Sequence, residues 1–160
     1  MKILRFAFVG AAIVWAVALP LAPLAVSRPH AASAWYAFAF VAYAVGGLIC
    51  HQRPERSLHL WAAQFPVCAR CTGIYVGAAI AAAATAWRRT KALRHDSAYL
   101  TQGFSPAKIA LLISIMPTMA TLAYEWSTGH TPSNWIRAAA GIPPGAALAW
   151  IIGGPTGKGR

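Results

Sequence analysis

The residues best equipped for chemistry are three cysteines and a histidine that lie close together in the chain. Cys50, Cys68 and Cys71 are the only cysteines in the 160-residue sequence, and they fall within the 22 residues from 50 to 71. The Cys-x-x-Cys spacing of Cys68 and Cys71 lets two thiolates reach one tetrahedral metal ion, and Cys50 and His51 supply two further ligands. We therefore predict a site for zinc, or another soft or borderline divalent metal, with these four residues as ligands.

The fourth ligand position has a competitor, because adjacent side chains point in different directions. Cys50 and His51 bind one ion together only in an irregular turn, which the nearby Pro54 makes feasible. His59, further along the same segment, is the competing nitrogen ligand.

The same thiols also fit a redox centre. Cys68 and Cys71 are predicted to lie at the start of the third apolar helix, where the helix dipole and Arg70 stabilise a thiolate. Cys50 is then the resolving or exchanging thiol, with a quinone in the bilayer as electron acceptor. A membrane thiol–disulfide oxidoreductase is therefore the alternative function, and close packing of inert thiols is a third interpretation of the cysteines.

Polar residues elsewhere in the chain are predicted to complete or orient the site. Glu125, one of three acidic residues, closes the fourth apolar run on the cysteine side. Its carboxylate is placed to orient a ligating histidine, to accept a proton or to pair with Arg56. Ser133 is a good helix N-cap. Asn134 and Arg137 share a helix face that suits an anion, a lipid phosphate or the Glu125 carboxylate. The full supporting set is Gln52, Glu55, Arg56, Arg70, Glu125, Ser133, Asn134 and Arg137.

The composition excludes an ordinary soluble enzyme. Hydrophobic residues make up 58% of the chain and charged residues only 11%, whereas soluble domains carry roughly 25% charge. The formal net charge is +11, but the basic residues lie between long apolar runs rather than on a polar fold. We therefore expect a lipid bilayer, and no nucleic acid, as the partner of this surface.

Long uncharged runs alternate with short polar segments, as in a chain that crosses a membrane several times. A helix of roughly 20 apolar residues crosses a hydrocarbon core about 30 Å thick. The candidate runs are Phe6 to Val26, Ala31 to Cys50, Thr72 to Trp87, Ile109 to Tyr124 and Ala138 to Gly154. We predict an all-α fold, a polytopic membrane helix bundle with four or five transmembrane helices, in the inner (cytoplasmic) membrane of a bacterium.

One membrane domain is expected over residues 1–160, with two N-terminal helices in 1–49 and a core of the cysteine loop and three helices in 50–154. The first run also has features of a signal peptide, since Lys2 and Arg5 precede it. Alternation of the spans places the segments 50–71 and 125–137 on the same membrane face, whichever way the chain is oriented.

Small residues and prolines distinguish the third and fifth runs. Gly73 and Gly77 are four residues apart, a spacing that lets helix backbones approach closely, so the third helix is predicted to pack in the middle of the bundle. The fifth run contains Pro143 and Pro144, which predict at least a kink there.

The cysteine segment resembles a family of small membrane proteins of bacteria and archaea that is catalogued as a domain of unknown function. The matching elements are Cys50-His51-Gln52, Pro54-Glu55-Arg56-Ser57, the run from Pro66 to Tyr75 with Gly77, and later Ser133-Asn134 with Arg137 and Gly141. Members of that family usually carry Asp-Gly and then a Gln near the end of the penultimate helix, where this chain has Glu125-Trp126. The resemblance implies a membrane location and a helical topology over roughly Cys50 to Gly154, and it carries no reaction.

Together these observations predict an integral membrane protein that binds a metal ion at one membrane face, in a structural, metal-handling or transport-related role. A partner protein that exchanges metal or thiols is expected with it. A non-catalytic lipid-binding or scaffold subunit, with Arg137 on a lipid phosphate, is the third possible function.

Overall fold

The apolar runs of the sequence form five helices in the structure, a computed structural model that describes residues 2–30, 32–92 and 106–153. The helices are α1 (Lys2–Ser27), α2 (Ser33–Ile49), α3 (Ala69–Ala92), α4 (Pro106–Thr128) and α5 (Asn134–Gly153). Between α2 and α3 lie a short 3-10 helix (Pro54–Arg56) and two strands, β1 (Ser57–Leu60) and β2 (Ala63–Cys68). The predicted all-α bundle is confirmed, and a small hairpin is added to it.

Among the residues that the structure describes, four helices are long and apolar enough to cross a membrane. The candidate spans are Phe6–Ser27, Ala69–Trp87, Ile109–Thr128 and Asn134–Ile152. Helix α2 has 17 residues, about 26 Å at the α-helical rise, and falls below the length of the other four. The fifth run was the least certain of the predicted spans because of Pro143 and Pro144. Instead α5 continues through Pro143 and Pro144, and the second run forms the shortest helix.

The segment predicted to be a loop contains an antiparallel β-hairpin. Leu60 pairs with Ala63, so Trp61 and Ala62 form a two-residue turn in which both residues have positive φ, the geometry that suits the twist of a hairpin. Leu58 and Leu60 on β1, and Phe65 and Val67 on β2, recur at every second position, the spacing of side chains on one face of a strand. The hairpin was missed because each strand is too short for that pattern to stand out.

The hairpin packs into the apolar interior of the bundle. Leu58, Phe65 and Val67 form a buried cluster with Leu19 of α1 and Ala69 of α3. Nearby, Trp15 of α1 and Tyr75 of α3 meet edge to face, with ring centroids 6.0 Å apart. The first helix, the hairpin and the start of α3 therefore share one core.

Helices α3 and α5 are in backbone contact, and glycines make that contact possible. A Cβ atom on Gly73 would lie 1.9 Å from the carbonyl oxygen of Ala138, and one on Gly77 would lie 2.1 Å from that of Ile142. Their partners are Gly141, which faces the Arg70 carbonyl, and Gly145, which faces that of Ile74. Because residue numbers rise together along both helices, α3 and α5 run parallel. Small residues four apart on two facing helices are a typical membrane packing motif, so the close backbone approach predicted for α3 is confirmed.

This contact predicts that Gly77→Ala destabilises the protein. Alanine is intrinsically better than glycine in a helix by about 1 kcal/mol, but here the new methyl group meets a backbone carbonyl. Overpacking costs typically about 1–3 kcal/mol. Gly10→Ala in α1 is the matched control, since nothing lies within 4 Å of the position of its Cβ. Thermal unfolding in detergent should show a lower midpoint for Gly77→Ala and an unchanged or higher one for Gly10→Ala. Equal midpoints for the two variants would contradict the close contact.

Candidate functional site

The three cysteines come from three different elements and meet at one point. Cys50 follows the last residue of α2, Cys68 ends β2, and Cys71 lies in the first turn of α3. The hairpin turns the chain back on itself, which places Cys68 beside Cys50. The three sulfur atoms all lie within 4.8 Å of one another, so the sequence-based grouping of these thiols is matched by the geometry.

This spacing is close to that of a metal-thiolate site. With zinc–sulfur bonds of about 2.3 Å, two sulfurs of a tetrahedral site lie ~3.8 Å apart. All three cysteines are free and half-buried, so small side-chain movements bring the sulfurs to one ion. Three sulfur donors in this arrangement suit zinc and other soft or borderline cations.

Hydrogen bonds within the cluster lower the pKa of one of the three thiols. A hydrogen bond from the Cys71 thiol, with further ones from the Cys50 side chain and from the backbone at the start of α3, lowers the pKa of the Cys68 thiol to about 5 against the opposing effect of burial. The backbone N–H of Cys68 also donates to Cys50 Sγ at 3.2 Å. Cys68 is therefore the thiol most readily held as a thiolate, the form that binds metals and attacks disulfides.

The structure does not bring either histidine into the sulfur group. His51 is exposed and lies in the wall of the adjoining cavity, outside the set of mutually close ligand atoms found among the described residues. The Nδ1 atom of His59 lies 3.1 Å from the Ser57 carbonyl oxygen, on the hairpin. The ligand role of His51 stays a prediction.

An open cavity adjoins the sulfurs. Its volume is about 370 Å³, within the range of small-molecule sites. It is lined by Ile49, Cys50, His51, Gln52, Arg53, Arg56, Cys68 and Cys71. Arg56 was predicted as a supporting residue, whereas Arg53 was not, although its place beside the cysteine motif is the signal that could have identified it. Within the described parts of the chain, neither guanidinium has a carboxylate partner.

Gln52 holds the cysteine loop in place. Its side-chain amide donates to the carbonyls of Tyr43 at 2.8 Å and Pro66 at 2.6 Å, which ties the loop to α2 and to β2. Its own carbonyl accepts from Gln64 at 2.6 Å, and the Tyr43 hydroxyl donates to the Gln64 carbonyl. Gln64 and Tyr43 were missed by the sequence reasoning; a glutamine inside an apolar strand is the signal that could have identified the first. Gln52 therefore supports Cys50 and Cys68 from the backbone side.

A buried carboxylate joins the ends of three helices. Glu125 of α4 accepts two hydrogen bonds from Arg137 of α5, at 3.0 and 3.1 Å, and one from Arg70 of α3, at 2.9 Å. The side chains of Arg137 and Glu125 are only 3% and 6% exposed. Arg70 also donates to Thr121, one helical turn before Glu125, at 3.1 Å. Arg70 lies between the two cysteines of the Cys-x-x-Cys pair, so this ion pair determines how that turn is oriented.

The contacts of Glu125 show which of the contacts predicted for the charged residues are made in the structure. Glu125 binds two arginines and contacts neither histidine, and Arg56 is not its partner. Arg70 points to the carboxylate on α4, so the charge it was expected to lend to a thiolate is largely neutralised. Of the anions considered for Arg137, the Glu125 carboxylate is the one bound in the structure. The predicted common face of segments 50–71 and 125–137 is confirmed by these contacts.

The start of α5 adds a second link to the cysteine segment. Ser133 Oγ accepts from the N–H of Ile136 at 3.4 Å, as its predicted capping role requires. Asn134 donates to the Ser57 carbonyl at 2.8 Å and more weakly to that of Glu55 at 3.4 Å. The carboxylate of Glu55 makes no ion pair within the described residues. Glu55 therefore contributes through its backbone.

We predict that Glu125→Ala is strongly destabilising. Removing the carboxylate leaves Arg137 buried and Arg70 half-buried without a counter-charge, and breaking a buried pair in this way costs about 3–5 kcal/mol. Glu55→Ala is the matched control, because the Glu55 side chain is exposed. Thermal unfolding of both variants in the same detergent provides the comparison, and a Glu125→Ala protein as stable as Glu55→Ala would contradict the role of the carboxylate.

The thiol geometry predicts unequal reactivity in metal-free protein. Since the pKa of Cys68 is lowered to about 5, its thiolate persists at pH 6, where an ordinary thiol is almost wholly protonated. After treatment with a chelator, iodoacetamide at pH 6 should modify Cys68 first, and its rate should fall only as the pH drops through about 5. Peptide mapping by mass spectrometry checks the site, and uniform labelling of the three cysteines would contradict it.

The comparisons with known proteins agree with this architecture. The chain is 42% identical over 57 residues to an uncharacterized protein of Methanocaldococcus jannaschii, a match that covers 36% of each chain. It is 30% identical over 107 residues to an uncharacterized protein of Methanothermobacter thermautotrophicus, covering 63% of this chain and 81% of that protein. Both relatives are archaeal and lend no support to a bacterial source. No solved structure matches. A family model described as "Predicted membrane protein (DUF2085)" matches residues 50–151, the part that holds the cysteines, the hairpin and the Glu125 ion pairs, and the chain belongs to this family.

Proposed function

We propose that this protein is a multi-pass membrane protein that binds a divalent metal ion, with zinc as the best fit, through Cys50, Cys68 and Cys71. The observation that carries the proposal is the convergence of three thiols, from three separate elements, within 4.8 Å. Thiols that served only as small apolar side chains would have no reason to gather in this way. We further propose that the membrane that holds this protein is the cytoplasmic membrane.

The ligand count favours metal handling over a purely structural role. Structural zinc sites are closed by four protein ligands, whereas sites that exchange or activate a ligand keep one position open. Here three sulfurs converge, and a cavity of about 370 Å³ lies beside them. A position that faces a cavity allows a metal or a ligand to enter and leave.

The ion pairs around Glu125 support the same proposal indirectly. Arg70 separates Cys68 from Cys71, and Glu125 holds it at 2.9 Å. Glu125 is thus a positioning residue: it restrains the turn that aims both sulfurs at one point. Preorganised ligands lose less conformational entropy on binding, which favours affinity.

The first experiment is elemental analysis of the purified protein in detergent. We expect about one equivalent of metal per chain, and its loss in Cys68→Ser, because a hydroxyl is a much poorer ligand for a soft cation than a thiolate. His59→Ala is the control and should retain the metal, since His59 lies outside the sulfur group. Metal-free protein with three intact thiols and no response to added zinc would overturn the proposal.

A thiol–disulfide oxidoreductase is the second candidate, favoured by the position of Cys68 at the N-terminus of α3. In that reaction Cys68 and Cys71 form a disulfide and release two electrons and two protons, which a quinone takes up to become a quinol. Thiol counting on the same preparation separates the two functions. Metal with three free thiols supports the metal site, whereas a Cys68–Cys71 disulfide that forms with a quinone and opens with a reductant supports the oxidoreductase.

The third candidate, a lipid-binding subunit, has less to support it. Its proposed phosphate ligand, Arg137, already makes a bidentate contact with Glu125 and is 3% exposed.

A further inference from the structure

From the charges around the sulfur cluster we infer that the metal takes its fourth ligand from outside the protein, and that this ligand is a small organic carboxylate bound between Arg53 and Arg56. The inference rests on the proposed metal site and identifies the class of molecule that this site would bind.

The coordination geometry provides the first step. Cys50, Cys68 and Cys71 supply three donors, and zinc prefers four. Among the described residues the sulfur group contains no further histidine or carboxylate. His51 lies on the cavity wall and is exposed. A metal held by the three sulfurs would therefore leave its remaining position to a ligand from the cavity that Cys50, Cys68 and Cys71 line.

The charges of the site provide the second step. Three thiolates and one divalent cation carry a net charge of −1. Arg53 and Arg56 line the same cavity, and neither has a carboxylate partner in the described parts of the chain. With water as the fourth ligand, the ion, its ligands and the two arginines sum to +1, and with a monoanion they sum to zero. The exposed Glu55 carboxylate is not part of the cavity lining. Arg53 is exposed and Arg56 is half-buried, and the attraction between opposite charges at this surface favours the set of lining groups that sums to zero.

The volume of the cavity suits a ligand larger than water. A volume of about 370 Å³ exceeds a single water, which takes roughly 30 Å³, by an order of magnitude. It accommodates a carboxylate with a small organic body. Guanidinium groups bind carboxylates through paired N–H donors, and a carboxylate oxygen is also an ordinary zinc ligand at about 2.0–2.2 Å. One carboxylate therefore satisfies both the metal and the arginines.

The test uses cobalt(II) as a spectroscopic substitute for zinc in the full-length protein. Tetrahedral cobalt bound to thiolates has visible absorption bands that change with the fourth ligand. Acetate is the carboxylate probe, and sodium perchlorate at equal ionic strength controls for salt. We expect saturable changes in these bands with acetate and none with perchlorate.

Two variants locate the anion. The double variant Arg53→Gln/Arg56→Gln should bind cobalt at the wild-type stoichiometry but require about tenfold or more acetate for half-saturation, because two charge-assisted contacts are lost. Arg28→Gln is the matched control, since Arg28 lines a different cavity, and it should behave as the wild type does.

The outcomes separate this inference from the function on which it rests. Absence of cobalt binding refutes the metal site, and the carboxylate ligand with it. Cobalt binding with bands unmoved by acetate leaves the metal site standing and overturns the carboxylate ligand. The carboxylate ligand is likewise overturned if the arginine double variant matches Arg28→Gln. It is also overturned if His51→Ala alters the cobalt bands in the absence of acetate, because His51 would then be the fourth ligand.

Discussion

The contact on which the rest of this structure depends is the one between the buried Glu125 carboxylate and the guanidinium groups of Arg70 and Arg137. A charge in an apolar bundle is costly unless it is paired and hydrogen-bonded, so these three side chains are stable only when α3, α4 and α5 meet at this end. Two buried guanidinium N–H groups, Arg70 Nε and Arg137 Nη1, have no hydrogen-bond partner within the described part of the chain. Both unsatisfied groups belong to the arginines whose contact with Glu125 holds the Cys-x-x-Cys turn. Because the ion pairs fix Arg70 relative to α4 and α5, the packing of the three helices also fixes the direction of Cys68 and Cys71.

A second constraint comes from the backbone of the cysteine segment. A chain that leaves a helix within an apolar environment exposes N–H and C=O groups that have to be satisfied internally. The β-hairpin satisfies part of this requirement through its own ladder. Gln52, Gln64 and Asn134 satisfy further carbonyls with side-chain amides. Amides suit this task because they donate hydrogen bonds without bringing a charge into the bundle. Gln52 and Asn134, two of the supporting residues identified in the sequence, are thus partners of the backbone around the sulfurs.

The sequence predicted the parts of the fold that local pattern determines. Long apolar runs gave the helices, glycines four residues apart gave the close approach of α3, and alternation of spans put Glu125 and Arg137 on the cysteine side. Cysteine spacing predicted the sulfur group, but it could not decide the position of His51, which depends on the backbone direction just after α2. The hairpin escaped because its strands are short. The choice of Glu125 as the partner of Arg70 is a contact between distant segments, which spacing alone does not specify. Arg53 lines the cavity only because of the fold. In the same way, Tyr43 contacts Gln64 only because the fold packs β2 against α2.

The glycine-mediated contact between α3 and α5 has a consequence for how the protein is made. These two spans have the lowest mean hydropathy of the four, 1.2 each against 2.2 for the first, and each is 33% buried, against 11% for the span of α4. Each helix therefore covers the glycine-rich backbone surface of the other and shields it from lipid. Synthesis proceeds from the N-terminus, and α4 separates the two helices in the chain. Helix α3 is therefore synthesised before its packing partner, and the contacts of Arg70 beside the sulfur cluster with α4, and of α4 with Arg137, require the later helices to be in place.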